Sequence, residues 1–479
     1  MFAFVNWRAA WLRRASARTR GLGRDHRGSV AIMFGLTVFI IFTIVGSAVD
    51  YGRAMLARAR LQAAVDSSVL AAARVWQLNN DLQLAEEKAY AQFDSNKPYN
   101  PSRVISFTPD MVAATFTMVG ETVVKTPFLS FVNHPTITIE TRGQALLAGG
   151  GNGGNGGTSL EVSLMLDVTG SMAGSKIEDL KAAAKDLIDI VIWADQSEYT
   201  SRVALAPFSS AINAGALGPS VAHNPSTSLS FKLRSGSSST RYRTNTYCVS
   251  ERTGPQNFTD AAPKDGDKIP RVYQTGSNTA CVPAAPIVPM TSDKDALKTV
   301  INGFVASGNT AGHLGTAWAW YLLSPNWASV LPAASKPQPY SMVTEVGAKG
   351  QPLLSKIAVL MTDGEYNYQY CNSTNPNTAG ATIPDSDTGN SGANCKSPNG
   401  TSTQQARDLC AAMKVAGIKV YTVGFELPDP KNGKDADSVV TLRECASEPH
   451  MFYNTKTGDE LRNAFRHIAT SIAAPILSR

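Results

Sequence analysis

Residues 29–49 read SVAIMFGLTVFIIFTIVGSAV, 21 residues without a charge. At about 1.5 Å per residue this run makes a helix of roughly 30 Å, the thickness of a bilayer's hydrocarbon core, so it is predicted to cross a membrane. No second run of comparable length follows. The net charge of +6 is concentrated just before it: residues 1–28 hold seven Arg (Arg8, Arg13, Arg14, Arg18, Arg20, Arg24, Arg27) against Asp25, and the rest balances at 37 cations and 37 anions. The positive-inside rule then puts the N-terminal arm in the cytoplasm and the body after Asp50 on the far side. A basic excess confined to a short arm also argues against a nucleic-acid-binding body, which needs its cations on a folded face. The competing reading is a cleaved signal peptide with Gly46-Ser47-Ala48 as its cleavage site. Against it, the basic region and the apolar run are both long for a signal, and Leu61, Val65, Val69, Ala72 and Trp76 continue one helix face beyond the supposed cut.

With 43% hydrophobic and 17% charged residues, the 479-residue chain has the composition of a folded protein. An Ala-rich helix is predicted from residue 50 to about 93, then Asn96, Pro98 and Pro101 break it, and β-branched runs over residues 104–147 indicate a small β module. Residues 149–158 form a Gly-rich linker. Its G-x-G-x-x-G match (Gly151, Gly153, Gly156) has no feeding strand and no following helix, so it is read as composition rather than as a dinucleotide site.

From residue 159 to 479 the pattern is α/β. Short apolar runs at 160–166, 203–208, 357–361 and 418–425 read as buried strands. Helices are expected at 294–304, 312–323, 404–416 and 459–473, and one opens with a Ser175 to Glu178 capping box; Thr457 and Glu460 make another. The alternation predicts a doubly wound parallel sheet covered on both faces, with its functional loops at the carboxyl ends of the strands. Residues 213–291 and 366–403, rich in Ser, Thr, Asn, Gly and Pro, do not fit and are read as insertions.

All six cysteines follow the apolar run. An even count on an oxidising side reads as disulfides, and the nearest-neighbour pairing is Cys248 with Cys281, Cys371 with Cys395 and Cys410 with Cys445. Without a C-x-x-C spacing, a metal-thiolate site is the weaker reading.

The first strand of this region ends in Asp167-Val168-Thr169-Gly170-Ser171, a carboxylate and two hydroxyls at alternate positions of one turn. These are hard oxygen donors, suited to Mg²⁺ or another divalent cation such as Mn²⁺ or Ca²⁺. Two further pieces accompany it: Gly308-Asn309-Thr310 before a helix, and Thr362-Asp363-Gly364 after a strand. The trio resembles the metal-ion-dependent adhesion site (MIDAS) of von Willebrand factor type A domains, with Thr169 in place of a Ser. The resemblance implies that Ser171 and Thr310 ligate through hydroxyls, that Thr169 takes the middle position, and that Asp167 and Asp363 act directly or through water. Thr316 is the weaker second-loop choice because it falls inside the predicted helix. His313 is read as a helix-start surface residue, with approach to the metal loops as the alternative.

Arg27-Gly28-Ser29-Val30-Ala31-Ile32-Met33-Phe34, the apolar span, Asp50-Tyr51-Gly52-Arg53 and Leu61-Gln62-Ala63-Ala64-Val65-Asp66 resemble the Tad (tight adherence) pilus-assembly family. Joined to a type A domain, they are similar to its TadG-like members. This implies a bacterial inner-membrane protein with a periplasmic body, acting in assembly of, or adhesion through, Flp-type pili. Met33 stands where prepilin-like relatives carry Glu, so the resemblance does not extend to processing after Gly28. No G-x-S-x-G, H-E-x-x-H or P-loop appears, and the chain is not read as an enzyme. The expected function is capture of a partner protein's acidic group through a divalent cation, with no small-molecule substrate. The alternatives are a structural minor pilin with the domain as scaffold and, more remotely, a metal-dependent hydrolase.

Overall fold

The computed structural model describes residues 29–79, 81–98, 101–110, 115–146, 158–197, 199–223, 228–232, 239–243, 247–264, 267–275, 281–347, 352–372, 381–386, 399–430, 432–473 and 476–477. The basic arm, the linker up to residue 157 and the expected Cys371 to Cys395 bridge lie outside them. The described chain gathers into two units, one of residues 29–69, 89–107 and 117–143 and the other of 70–88, 108–116 and 144–479.

α1 (Ser29–Asn79) is one continuous helix, which belongs to the first unit through Val69. Its first four turns are bare, with Phe34 68% and Ile44 65% exposed. From Gly46 onward a stripe is covered: Gly46, Asp50, Ala54, Ala57, Leu61 and Val65, at the three- and four-residue spacing of one helix face. Small residues at the start of that stripe let the chain approach closely. The expected single helix to Phe93 is instead two, because Asn79 and Asp81 favour caps over helix interiors. α2 (Leu82–Asn96) restarts with the Asp81 carboxylate accepting the Leu84 N–H at 3.1 Å. Strands β1 (Ser102–Asp110), β2 (Thr115–Lys125) and β3 (Thr136–Leu146) lie side by side in that order. β2 presses on the helices at Gly120, where a Cβ would stand 2.8 Å from Val65 and 3.1 Å from Phe93.

The second unit is built on a six-stranded sheet. Its strands are β4 (Ser159–Asp167), β5 (Ser201–Phe208), β6 (Val288–Thr291), β7 (Leu354–Thr362), β8 (Lys419–Phe425) and β9 (Phe452–Thr455). Their order is β6-β5-β4-β7-β8-β9, all parallel except β6, which runs antiparallel to β5 at the edge. One face packs Met165, Ala204, Ala206 and Phe208 against α5 (Gly312–Tyr321) and α6 (Ser402–Val415). The other packs Val162, Leu164 and Leu166 against α3 (Ser175–Val191), α4 (Lys294–Asn302) and α8 (Gly458–Ile472). α7 (Asp437–Cys445) adds a small cluster of its own through Val439 and Leu442.

The strands are not uniformly apolar. Glu161 and Lys356 face each other in register on β4 and β7, both buried, and Arg202 on β5 completes the network. The Lys356 ammonium also donates to Leu323 O at 2.8 Å. The charges thus satisfy one another at the amino ends of the strands.

The two insertions are not separate loops. Residues 212–213, 248–249, 271–272, 381–386 and 368–372 form one five-stranded sheet in which Arg271 pairs with Ala381, so strands from both insertions lie side by side. Cys248–Cys281 and Cys410–Cys445 are bonded, with Cα atoms 5.2 and 5.1 Å apart. The Ser175 to Glu178 capping box does not form: Gly174, at φ 88°, takes the N-cap and Ser175 is already helical. At α8 the Thr457 hydroxyl does accept the Glu460 N–H at 3.2 Å.

Candidate functional site

A doubly wound sheet opens a crevice where the chain's connections diverge to opposite sides. Here that point lies between β4 and β7, since β4 leads outward to β5 and β7 leads the other way to β8. Asp167 ends β4 and Asp363 directly follows β7, so the two carboxylates leave neighbouring strands at the same end of the sheet.

Backbone hydrogen bonds tie three loops together there. Gly170 N–H donates to Gly308 O and Ser307 N–H to Val168 O, each at 2.9 Å, joining the first loop to the second. Asn367 N–H donates to Thr310 O at 3.0 Å, and the Asn367 side chain accepts the Thr310 N–H at 3.2 Å, joining the second to the third. Gly308 carries a φ of 83°, the left-handed conformation that this tight crossing needs.

The side chains converge accordingly. Ser171 donates to Asp363 Oδ1 at 2.6 Å, and the Thr169 and Ser171 hydroxyls are 2.8 Å apart. A Cβ on Gly364 would stand 3.8 Å from Ser171 Oγ and 3.9 Å from Thr310 Oγ1, which puts both hydroxyls at the third loop. Asp167 is held from two sides: its Oδ1 accepts the Thr169 N–H at 2.9 Å and its Oδ2 the Thr362 hydroxyl at 2.6 Å. Asp167, Thr169, Thr310 and Asp363 are buried and Ser171 is exposed, so the cluster opens to solvent at Ser171.

Burial raises the Asp167 pKa, and the Asp363 charge raises it further, to about 6. Hydrogen bonds from Thr169 and Thr362 pull the other way without cancelling the shift. Beneath the loops the phenol of Tyr366 is pushed up as well, first by burial and then by Asp167. The two carboxylates thus oppose each other in a buried setting that their hydrogen bonds compensate only in part.

Two contributors were not read from the sequence. Lys176, in the first turn of α3, places its ammonium 3.0 Å from Asp363 Oδ2 and 3.2 Å from Glu426. Burial lowers its pKa, but the Asp363 and Glu426 contacts outweigh that and the net shift is upward. Its signal was positional: it follows Ser171 by five residues, at the start of the helix leaving the first loop. Glu426, just past β8 at φ 51°, carries no sequence mark.

Thr316 lies within α5 and donates to Gly312 O at 3.0 Å. His313 is not a surface residue. It is 1% exposed, with Nε2 2.6 Å from Glu251 and Nδ1 2.6 Å from the Ser402 hydroxyl, joining the first insertion to the starts of α5 and α6.

Among the described residues no group of three or more His, Cys, Asp or Glu gathers as a metal would require, so a cation here depends on hydroxyls as well as carboxylates. Two carboxylates and three hydroxyls are all hard donors, and the buried pair of like charges is relieved by a cation; the residues fit a Mg²⁺-type ion.

Residues 28–75 match the Tad family model, described as Flp pilus-assembly TadE/G-like. The chain carries a TadE/G-like segment. That segment ends within α1, and the domain after it is built on a doubly wound sheet, five of whose six strands are parallel. None of the curated proteins matches the sequence. Among solved structures the chain is similar to the pilus adhesin SpaC of Lactobacillus rhamnosus GG, at 12% identity and TM-score 0.35 over 78% of this chain. It spans 35% of that adhesin's length. The von Willebrand factor domain of the type V pili tip protein Mfa5 of Porphyromonas gingivalis is similar at 13% identity and TM-score 0.35, covering 66% of this chain and 95% of that one. Proximal thread matrix protein 1 of the mussel byssus, with a zinc-occupied MIDAS motif, is similar at 11% identity and TM-score 0.28, covering 66% and 48%.

Proposed function

We propose that the chain is a single-pass, inner-membrane-anchored binding protein of Tad/Flp-type pilus assembly or adhesion. Its arm is cytoplasmic and its body periplasmic. The type A domain captures an acidic group on a partner protein, a pilus or pilus-assembly component, through Mg²⁺ or another divalent cation. Asp167, Thr169, Ser171, Thr310 and Asp363 hold that cation. The observation that carries the reading is the convergence of these residues, from three loops, at the sheet's switch point.

A bound cation supplies a coordination position for a carboxylate oxygen. The chain's own groups prepare it: Thr169 N–H and the Thr362 hydroxyl fix Asp167, and the Ser171 hydroxyl stands at the open side; Lys176, on the far oxygen of Asp363, competes with the cation. The work is read as binding without turnover; His313, the imidazole nearest to Thr310 in sequence, is engaged by Glu251 and Ser402.

The test is capture from native membranes by full-length protein in Mg²⁺, in chelator, and with Asp363→Ala. A pilus component retained only by the unsubstituted protein in Mg²⁺ supports the reading. Equal retention in all three, together with recovery of the protein in sheared filaments, would replace it with the minor-pilin reading.

A further inference from the structure

In the unit built on the spanning helix, the chain after β2 folds back against the apolar stretch of α1. The Phe128 ring meets Phe42 edge-on, 5.5 Å between centroids, and a Cβ on Gly46 would collide with the same ring. Asp50, fully buried, accepts the N–H groups of Phe128 and Leu129 through Oδ2, each at 2.8 Å. Gly46 and Phe42 precede Val49, the last residue of the uncharged run, by less than one helical turn and by about two. They sit about 5 and 10 Å inside that run. Phe128 is thereby fixed at the depth of the apolar stretch, and the turn it opens, Leu129–Val132, starts there too.

That turn differs from an ordinary water-facing one in two ways. It points apolar side chains outward, with Phe131 66% and Val132 44% exposed. Four of its backbone N–H groups also find carbonyls within the segment itself. Ser130 N–H donates to Thr126 O, Phe131 to Phe128 O, Asn133 to Ser130 O and His134 to Leu129 O, while the Thr126 hydroxyl donates to His134 O at 2.6 Å. The two N–H groups left over at its start are those that Asp50 takes. Hydrocarbon offers backbone groups no partner, so an irregular segment can enter it only with those groups satisfied. Tyr51, 65% exposed one residue after Asp50, is the kind of aromatic that sits at a membrane boundary.

We propose that the turn Leu129–Val132 is a second membrane contact, which inserts Phe131 and Val132 into the lipid leaflet where α1 leaves the bilayer. Its partner is the acyl and glycerol region of the lipids. A lone helix leaves the β module free to rotate about the helix axis; an inserted turn fixes which face of the module meets the membrane. The inference rests on residues 29–49 spanning the bilayer.

The test is nitroxide accessibility in phospholipid nanodiscs. Full-length Phe131→Cys and Val132→Cys are labelled on the added thiol, since no cysteine among the described residues is free. Ile44→Cys serves as the in-span reference and Glu140→Cys, exposed on β3, as the water reference. The proposal expects labels at 131 and 132 to collide with oxygen and to be shielded from a water-soluble nickel chelate, as at 44. Chelate access equal to that at 140, with 44 still shielded, overturns the inserted turn and leaves the span intact. Chelate access at 44 as well overturns both. Shielding from both reagents with dipolar broadening between labels would mean that a second copy covers the turn, and also overturns the proposal.

Discussion

Replacing Asp167 with Asn should stabilise the metal-free protein at neutral pH while removing its stabilisation by Mg²⁺. The carboxyl group is buried, and burial followed by the Asp363 charge moves its pKa from 3.8 to about 6. Between those values the folded protein holds a proton that the unfolded chain has released. The stability this provides is complete below about pH 4 and lost as pH rises through about 6. Each pH unit corresponds to about 1.4 kcal/mol, so the ionised group costs the metal-free fold about 3 kcal/mol at neutral pH. The Asn side chain keeps an oxygen for the Thr169 N–H but turns an amide toward the Thr362 hydroxyl and the Asp363 N–H, offsetting about 1–2 kcal/mol. A net gain of about 1–2 kcal/mol at neutral pH remains, and it disappears below about pH 4, where Asp167 itself is neutral. Urea unfolding in detergent with chelator, followed by the fluorescence of buried Trp193, Trp318, Trp320 and Trp327, measures it. An Asn variant destabilised equally at both pH values would refute the claim that the two carboxylates oppose each other across the crevice.

Lys176→Met should bind Mg²⁺ a few-fold more tightly by calorimetry, because the ammonium beside Asp363 both repels a cation and occupies one of the carboxylate's oxygens. Glu161→Ala leaves Lys356 buried without its carboxylate and should cost roughly 3–5 kcal/mol in chemical denaturation, the cost of breaking a buried ion pair. Replacing Cys410 and Cys445 together with Ala should lower stability by about 3–4 kcal/mol, read the same way, because their bridge closes a long loop. Peptide mapping without reduction should find Cys371 linked to Cys395. Reporter fusions after Gly150 should be active only as periplasmic reporters.

β4, β5, β7 and β8 were legible because each contains a short apolar run, and most of the helices because they carry amphipathic spacing or a cap such as Thr457; the fifth parallel strand, β9, was missed because Phe452–Thr455 is too short and too polar to show an apolar run. β6 was missed because Pro289 interrupts a four-residue segment, a residue that a sheet tolerates at its edge. The strands at 248–249 and 271–272 are too short to show any period, so the union of the insertions could not be read. Ser175 looked like a cap because its spacing to Glu178 was right, but Gly174 adopts a backbone angle that only the folded turn reveals. Lys176 had a positional signal, but its contacts with Asp363 and Glu426 are tertiary, and Glu426 has no mark that spacing along the chain could encode. Glu161 and Lys356 were not read as a pair either: a charge inside a buried strand demands a partner, but only the register of β4 and β7 shows which one.

The central claim is that three loops make one cation site. Mn²⁺ titrated into full-length protein in nanodiscs, followed by calorimetry and by the loss of the free-ion resonance signal, tests it most directly. The account predicts a single bound ion per chain that Mg²⁺ displaces, and binding that is lost in Asp363→Ala and weakened in Ser171→Ala. Absence of binding, or binding that both variants leave unchanged, would contradict it.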